Sequence, residues 1–161
     1  MSKHFDEELQ DLHNDLLKMG ALAEEAIACS IEALKNRNRE MAQKVINDDG
    51  RVDALELIID ERCLDLVARH QPMAKDLRFI ATGMKLNTEL ERIADIAVDI
   101  AQHALVITDK PLLKPLVNIP KLTTLAQKMV KMALDSYIDR DAQMAKSVLL
   151  NDPEADLLRD E

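Results

Sequence analysis

Apolar residues recur at steps of three and four over three long stretches, and this spacing constrains the fold more than any other feature. In the stretch from Phe5 to Leu34 they are Phe5, Leu9, Leu12, Leu16, Met19, Leu22, Ala26, Cys29 and Ala33. The second stretch carries Met41, Val45, Val52, Leu55, Ile59, Cys63, Leu66 and Val67, and the third carries Leu77, Ile80, Met84, Leu90, Ile93, Ala97 and Ile100. This spacing places apolar side chains along one face of an α-helix. It predicts three long amphipathic helices, the third from about Pro72 to about Thr108.

The composition favours helices packed on helices over a sheet. Of the 161 residues, 47% are hydrophobic but only 2% are aromatic, whereas sheets favour β-branched and aromatic residues. The longest apolar runs fall far short of a membrane span, and the N-terminus lacks the apolar stretch of a signal peptide. We therefore expect an all-α protein of the cytoplasm. Cys29 and Cys63 lie within apolar helical patterns and are predicted to be small core residues.

Local signals set the predicted helix boundaries. Asn38 is a plausible N-cap for the second helix, and Gly50 within that helix costs about 1 kcal/mol relative to Ala. Pro72 fits the first position of the third helix, because proline is tolerated there and not in a helix interior. After the third helix, the segment DKPLLKPLVNIP holds three prolines in twelve residues. It predicts a linker, which we place at residues 111–120.

The helical pattern restarts after this linker. Residues 21–53 aligned with 124–156, an offset of 103, give eight identities, and Asp141 falls where Asn38 stood as an N-cap. An internal repeat changes the expected architecture, so we predict tandem three-helix bundles. The first bundle is residues 1–110, and residues 121–161 begin a second, incomplete bundle. The third helix of that second bundle is absent, so we expect a truncated chain or a fragment.

The third predicted helix contains a row of carboxylates in the segment ELERIADIAVDIA, residues 89–101. At about 100° per residue, Asp95 and Asp99 lie about 40° and 80° from Glu91, opposite the apolar stripe. Like charges at this spacing repel each other. A solvated face explains the row without any function. The functional alternative is a cation site, because hard cations bind carboxylate oxygens and residues at i and i+4 present these oxygens on adjacent helical turns.

A single helix supplies too few ligands for such a site, so a second acidic segment or a neighbouring chain must complete it. Glu24, Glu25 and Glu32 of the first helix are candidates, although their angular match is loose. His103 is predicted to be a surface residue. The scarcity of aromatic residues disfavours glycoside hydrolysis. Ferritin-like chemistry is disfavoured because the sequence has no Glu-x-x-His pair and because the carboxylate row is predicted to face outward. The net charge of −9 disfavours nucleic-acid binding and suits contact with cations or cationic surfaces.

Residues 70–101, HQPMAKDLRFIATGMKLNTELERIADIAVDIA, closely resemble the signature of the PhoU family of phosphate-uptake regulators. The matching elements are QP before the third helix, DLR at 76–78 and ELERIAD at 89–95. Met19–Gly20 and the pair Asp49 and Asp53 also match. Ala94 departs from the family, in which many members have Gly, and Asp99 stands where Asn is frequent. The resemblance covers one complete repeat and part of a second.

The resemblance implies two similar three-helix bundles, each with a surface E(D)-x-x-x-D motif that binds metal ions, often iron. The motif maps onto Glu91 and Asp95, with Asp99 behind them. It implies a non-enzymatic negative regulator of phosphate uptake and of the phosphate-starvation response. The implied partners are the ATPase of a phosphate ABC transporter and a sensor histidine kinase, so that membrane contact is indirect. A homodimer is expected by resemblance and because an unfinished bundle exposes an apolar face. The alternative is a metal-carboxylate enzyme or iron-storage protein on a helical bundle.

Overall fold

The computed structural model describes residues 3–108, 110 and 116–160. Within them the chain forms six helices, α1 (Lys3–Asn36), α2 (Arg39–His70), α3 (Ala74–Ile107), α4 (Asn118–Ile138), α5 (Ala142–Leu149) and α6 (Asp152–Asp160). The described residues contain no strand, so the predicted all-α class is confirmed. No helix of the described segments is both long and apolar enough to cross a membrane.

Helices α1, α2 and α3 form an up-down-up bundle in which all three pairs are in contact. Cross-helix pairs fix the antiparallel direction: Arg62 bonds to Asp15, and Arg69 bonds to Glu8 one to two turns further along. Fully buried side chains from all three helices fill the centre, namely Leu12, Leu16, Met19, Ile59, Cys63, Leu66 and Ile80. The apolar stripe read from the sequence is therefore the core, and burial raises the pKa of the Cys63 thiol to about 12.

The core changes character along the bundle. Near the α1–α2 turn, five of its six buried residues are alanines, and the sixth is Val45. The alanines are Ala33, Ala42, Ala97, Ala101 and Ala104. Small side chains at a helix contact allow the helix axes to approach closely. The bundle thus has an alanine-rich end beside the turn and a leucine-rich part beyond it.

The α1–α2 and α4–α5 turns have the same geometry at an offset of 103 residues. Arg37 and Arg140 both adopt φ 55°, and the next residue caps the following helix. The Asn38 side chain accepts a hydrogen bond from the N–H of Met41, and the Asp141 side chain accepts from those of Gln143 and Met144. Both predicted N-caps are present. This shared turn is the structural form of the repeat in the sequence.

The structure corrects one predicted helix boundary, at Pro72, and leaves part of the predicted linker undescribed. Pro72 is not the first residue of α3, because Gln71 turns into the left-handed region at φ 46° and Met73 provides the N-cap. Helix α2 continues through Gly50 without interruption. Residues 111–115 of the predicted linker lie outside the described residues, and α4 begins at Asn118, within its last part.

The second unit, defined as α4, α5 and α6, departs from the first at the helix that corresponds to α2. That helix is divided after Leu149 into α5 and α6, with Leu150 and Asn151 between them. Pro153 stands at the position equivalent to Gly50. Its nitrogen carries no hydrogen to bond the carbonyl of Leu149, so a continuous helix would lose a bond there.

Two glycines of the first bundle define where α4 packs. A Cβ on Gly20 would lie 2.6 Å from Cδ2 of Leu134, and a Cβ on Gly83 would lie 2.8 Å from the hydroxyl of Tyr137. The Tyr137 hydroxyl donates to the carbonyl of Phe79 at 2.8 Å, and the two rings stack 4.2 Å apart. Gly20 and Gly83 are therefore small because α4 side chains occupy the space beside them.

Candidate metal-binding surface

The carboxylate row of α3 lies on the outside of the bundle, as the helical wheel predicts. Ala94, Ala97 and Ala101 on the opposite face are buried, whereas Asp95 and Asp99 are exposed. Glu91 is half-buried. His103 is exposed, and its Nδ1 lies 2.7 Å from the backbone carbonyl of Asp99. The exposed positions of Asp95 and Asp99 are unlike the inward-facing ligands of a ferritin-like centre.

Helix α2 provides the second acidic segment that the row requires. Asp49, Asp53, Glu56 and Asp60 lie on the side of α2 that faces α3, at spacings of three and four residues. Burial raises the pKa of Glu56, and so do the charges of Asp60, Asp53 and Asp95. Burial, Asp53 and Asp95 likewise raise the pKa of Asp49. We call these four residues with Glu91 and Asp95 the acidic surface.

Glu91 is the most constrained member of the acidic surface. Partial burial raises its pKa, as do the charge of Asp95 and a side-chain hydrogen bond with it. Glu56 and Asp53 of α2 contribute further repulsion. Asp99 is not among the charges that shift these pKa values, so it stands apart from the group that α2 and α3 bring together.

A buried amide lies next to this surface. Asn87, one turn before Glu91, has no exposed area, and its Nδ2 donates to the carbonyl of Glu56 at 2.9 Å and to Oδ1 of Asp60 at 3.0 Å. Its Oδ1 is buried without a hydrogen-bond partner. Asn87 thereby fixes the register of α2 against α3 and orients the Asp60 carboxylate.

The acidic surface has the donor chemistry for a hard cation but not a finished coordination sphere. Carboxylate oxygens suit Mg²⁺, Ca²⁺, Mn²⁺ and iron. However, no three His, Cys, Asp or Glu side chains of residues 3–108, 110 and 116–160 converge closely enough to hold an ion. The exposed carboxylates would have to rotate toward one another. Burial is the first cause of the raised pKa values of Glu91, Glu56 and Asp49, and a bound cation would offset the mutual repulsion that adds to it.

The three α1 candidates differ in their surroundings. Glu32 forms an ion pair with Lys35, and the backbone carbonyl of Glu24 accepts a hydrogen bond from Gln127 of α4 at 2.9 Å. Glu25 lines a cavity among α1, α2 and α3 together with Asp48 and Asp49, so this α1 acid borders the acidic surface. None of the three shifts the pKa of Glu91. The α2 carboxylates were detectable in the sequence as a second run of acids at the same spacing, but the side of α2 that meets α3 was not.

The geometry defines a class of protein: a helical-bundle protein that carries a carboxylate surface on the outside of the bundle. The PhoU domain model matches residues 16–104. A phosphate-specific transport system accessory protein PhoU homolog from Aquifex aeolicus is 38% identical over 151 residues, covering 94% of this chain and 68% of the relative. One from Clostridium acetobutylicum is 34% identical, covering 97% and 72%. The chain thus spans about two thirds to three quarters of the length of these relatives.

Solved structures show the same fold. PhoU from Pseudomonas aeruginosa superimposes with a TM-score of 0.89 at 35% identity, covering 96% of this chain and 74% of that one. The phosphate transport system regulatory protein PhoU from Streptococcus pneumoniae gives a TM-score of 0.87 at 28% identity. This chain belongs to the PhoU family. Its relatives are named as accessory and regulatory proteins, not as enzymes, in agreement with the sequence-based prediction.

Proposed function

We propose that this protein regulates phosphate transport, as a negative regulator of phosphate uptake and of the phosphate-starvation response. Family membership supports this role, since the relatives are accessory proteins of the phosphate-specific transport system. Among the described residues, the observation that supports the proposal is the acidic surface. It lies on the outside of the bundle, where a protein partner can reach it.

The proposed mechanism is contact with proteins, not chemical conversion of a substrate. The protein acts as an adaptor between the ATPase of a phosphate ABC transporter and a sensor histidine kinase, and it reaches the membrane only through them. A rigid bundle suits this role, because side chains on helices of a packed core keep a fixed spacing.

A direct test is to delete the gene in the organism that carries it and then to restore the native gene. Deletion should raise expression of a phosphate-starvation reporter in phosphate-replete medium, and the native gene should restore repression. Purified ATPase and kinase should each retain the protein on an affinity column. Unchanged reporter expression after deletion would refute the regulatory role. If neither the ATPase nor the kinase retained the protein, only the adaptor mechanism would be refuted.

The second element of the proposal is a divalent or trivalent metal ion, with iron as the first candidate, bound at Glu91 and Asp95 with Asp99 as a further ligand. Asp53 and Glu56 of α2 would complete the set from the facing helix. Such an ion supplies positive charge that joins α2 to α3 and offsets the repulsion among these carboxylates. The residues themselves position the oxygens and keep the surface accessible.

Metal content measured by mass spectrometry tests this element. The protein is purified without added metal and compared with Glu91→Ala/Asp95→Ala and with Asp99→Ala. We expect the double variant to lose the metal and Asp99→Ala to retain most of it. A control variant, Glu89→Ala, removes an exposed acid that pairs with Arg92 on the same helix. Equal metal content in the native protein and the double variant would contradict the assignment.

The third element is a homodimer. Among the described residues of α4, α5 and α6 only Leu134 and Ser136 are buried, and Leu149, Leu150 and Leu157 are exposed. A second copy packed on this apolar side would cover it. Sedimentation velocity at micromolar concentration should show a dimer, which Leu149→Gln/Leu150→Gln weakens. A monomer at all concentrations would refute it.

A further inference from the structure

Helix α2 has a second apolar stripe that faces away from the bundle. It consists of Gly50, Ala54, Leu57, Glu61, Leu64 and Ala68, all of them exposed and all but Glu61 uncharged. Their spacing of four and three residues in alternation is the spacing of a coiled-coil seam. Leu57 is 70% exposed and Leu64 is 59% exposed, and Ile58 beside them is 48% exposed. We call these six positions the α2 seam.

No described helix covers the α2 seam. Helix α2 packs against α1 and α3, while α4 packs on α1 and meets the edge of α3 through Tyr137. The buried stripe of α2, which includes Leu55, Ile59 and Leu66, already fills the core. The seam is therefore additional to what folding requires, and large exposed side chains in a row indicate a site of protein contact.

The charges beside the seam are all of one sign. Between residues 50 and 68, the side chains within about 80° of Leu57 include four carboxylates and no cation. These acids are Asp53, Asp60, Glu61 and Asp65. The cations of this segment, Arg51 and Arg62, lie about 120° and 140° away, and Arg62 bonds to Asp11 and Asp15 of α1. On one side the seam borders the acidic surface.

From this arrangement we infer that the α2 seam binds an amphipathic helix of a partner protein whose apolar stripe is flanked by lysine and arginine. Apolar anchors at steps of three and four would pack around Leu57 and Leu64, as in other helix-in-groove complexes. Flanking cations would lie against Asp53 and Asp60 on one side, and against Asp65 and the seam residue Glu61 on the other. The seam is about 27 Å long, which accommodates about five helical turns of a partner.

Charge selects this occupant over a second copy of the chain. Two α2 seams packed on each other would bring carboxylates beside carboxylates, and like charges across an interface suppress association. A basic helix turns the same charges into attraction. The inference is independent of the proposed role in phosphate regulation, since it rests on the exposed leucines and their flanking charges. It shares Asp53 with the proposed metal site, so binding is measured without metal.

The test uses two synthetic helical peptides of about 21 residues with leucine at the seam positions. One carries lysine at the flanking positions and the other carries glutamate. Binding of each fluorescent peptide to the whole protein is followed by anisotropy in the presence of a metal chelator. The seam variant is Leu57→Gln/Leu64→Gln. The control is Val106→Gln, which changes an exposed apolar side chain of α3.

We expect the lysine peptide to bind and the seam variant to weaken it by about tenfold or more, with no loss in the control. Binding should decline when salt rises from about 0.05 to about 0.5 M, because the flanking charges are exposed. The glutamate peptide should not bind. Equal affinity of the native protein and the seam variant would overturn the inference, because attraction would then be charge alone. Equal binding of both peptides would also overturn it, as would a protein dimer lost in the seam variant.

Discussion

The first bundle and the second unit begin with the same turn but differ in how much they bury. In the first bundle α1, α2 and α3 all bury apolar residues, and in the second unit only α4 has buried residues. The equivalent turns, with Arg37 and Arg140 at the same φ, show that local sequence is sufficient to form a turn and a cap. A buried core requires a third long helix, and among the described residues only the first bundle has a helix of this kind, α3.

The largest expected effect comes from the first bundle's core. Leu16 has no exposed area, so Leu16→Ala should lower the free energy of unfolding by about 2–5 kcal/mol through lost burial and a cavity. Leu157→Ala, at an exposed leucine of α6, should change it by less than about 0.5 kcal/mol. Urea unfolding followed by circular dichroism measures both. Similar losses for the two variants would mean that the second unit is packed as well as the first.

A second experiment probes the contact between the two regions. Gly83→Ala places a methyl against the Tyr137 hydroxyl and disturbs its hydrogen bond to Phe79, so we expect a loss of about 1–3 kcal/mol. Tyr137→Phe removes only the hydrogen bond and should cost about 1 kcal/mol.

The matched control for Gly83→Ala is Gly50→Ala. Nothing lies within 4 Å of a Cβ at Gly50, so alanine should stabilise α2 by about 1 kcal/mol. Urea unfolding of both variants separates crowding from helix propensity. If Gly83→Ala were also stabilising, α4 would not pack against this glycine in solution.

The two equivalent caps should respond differently to the same change. Asn38→Ala and Asp141→Ala each remove a side chain that accepts hydrogen bonds from the next helix, at a cost of about 1 kcal/mol. In Asn38→Ala, amide hydrogen exchange should become faster over the whole first bundle. In Asp141→Ala, the faster exchange should be confined to α5, because α5 has no buried residue. A loss spread over α1 to α3 in Asp141→Ala would show that the two regions unfold together.

The smallest effect concerns pH. Burial and the charge of Arg140 lower the pKa of His13, whose ring meets Phe79 edge-on at 4.8 Å. Because the unfolded state binds the proton more readily, this contribution is present above the ordinary pKa of 6.5 and is lost as pH falls below it. His13→Gln should flatten the dependence of unfolding free energy on pH in that window. If the slope of unfolding free energy against pH did not change, the His13 ring would be exposed to water in the folded protein.

The features predicted from sequence were those with a local cause. Apolar spacing gave the three long helices, and Asn38 and Asp141 capped their helices as predicted because a cap depends on its own neighbours. Pro72 was placed wrongly, since the left-handed turn at Gln71 is not encoded in an obvious residue. The facing carboxylates of α2 were missed for a different reason. Which side of one helix meets another is decided by packing of the whole bundle, not by either helix alone.

The alanine-rich and leucine-rich parts of the first bundle also imply two different kinds of evolutionary freedom. At Ala97 and Ala101, where three helices approach closely, a larger residue would have to push backbones apart. At Leu12 and Leu66, a smaller residue would leave a void. At the alanine-rich end the neighbouring helices set an upper limit on side-chain size, and in the leucine-rich part the volume to be filled sets a lower one. Substitutions in this core are therefore constrained by crowding at one end and by voids at the other.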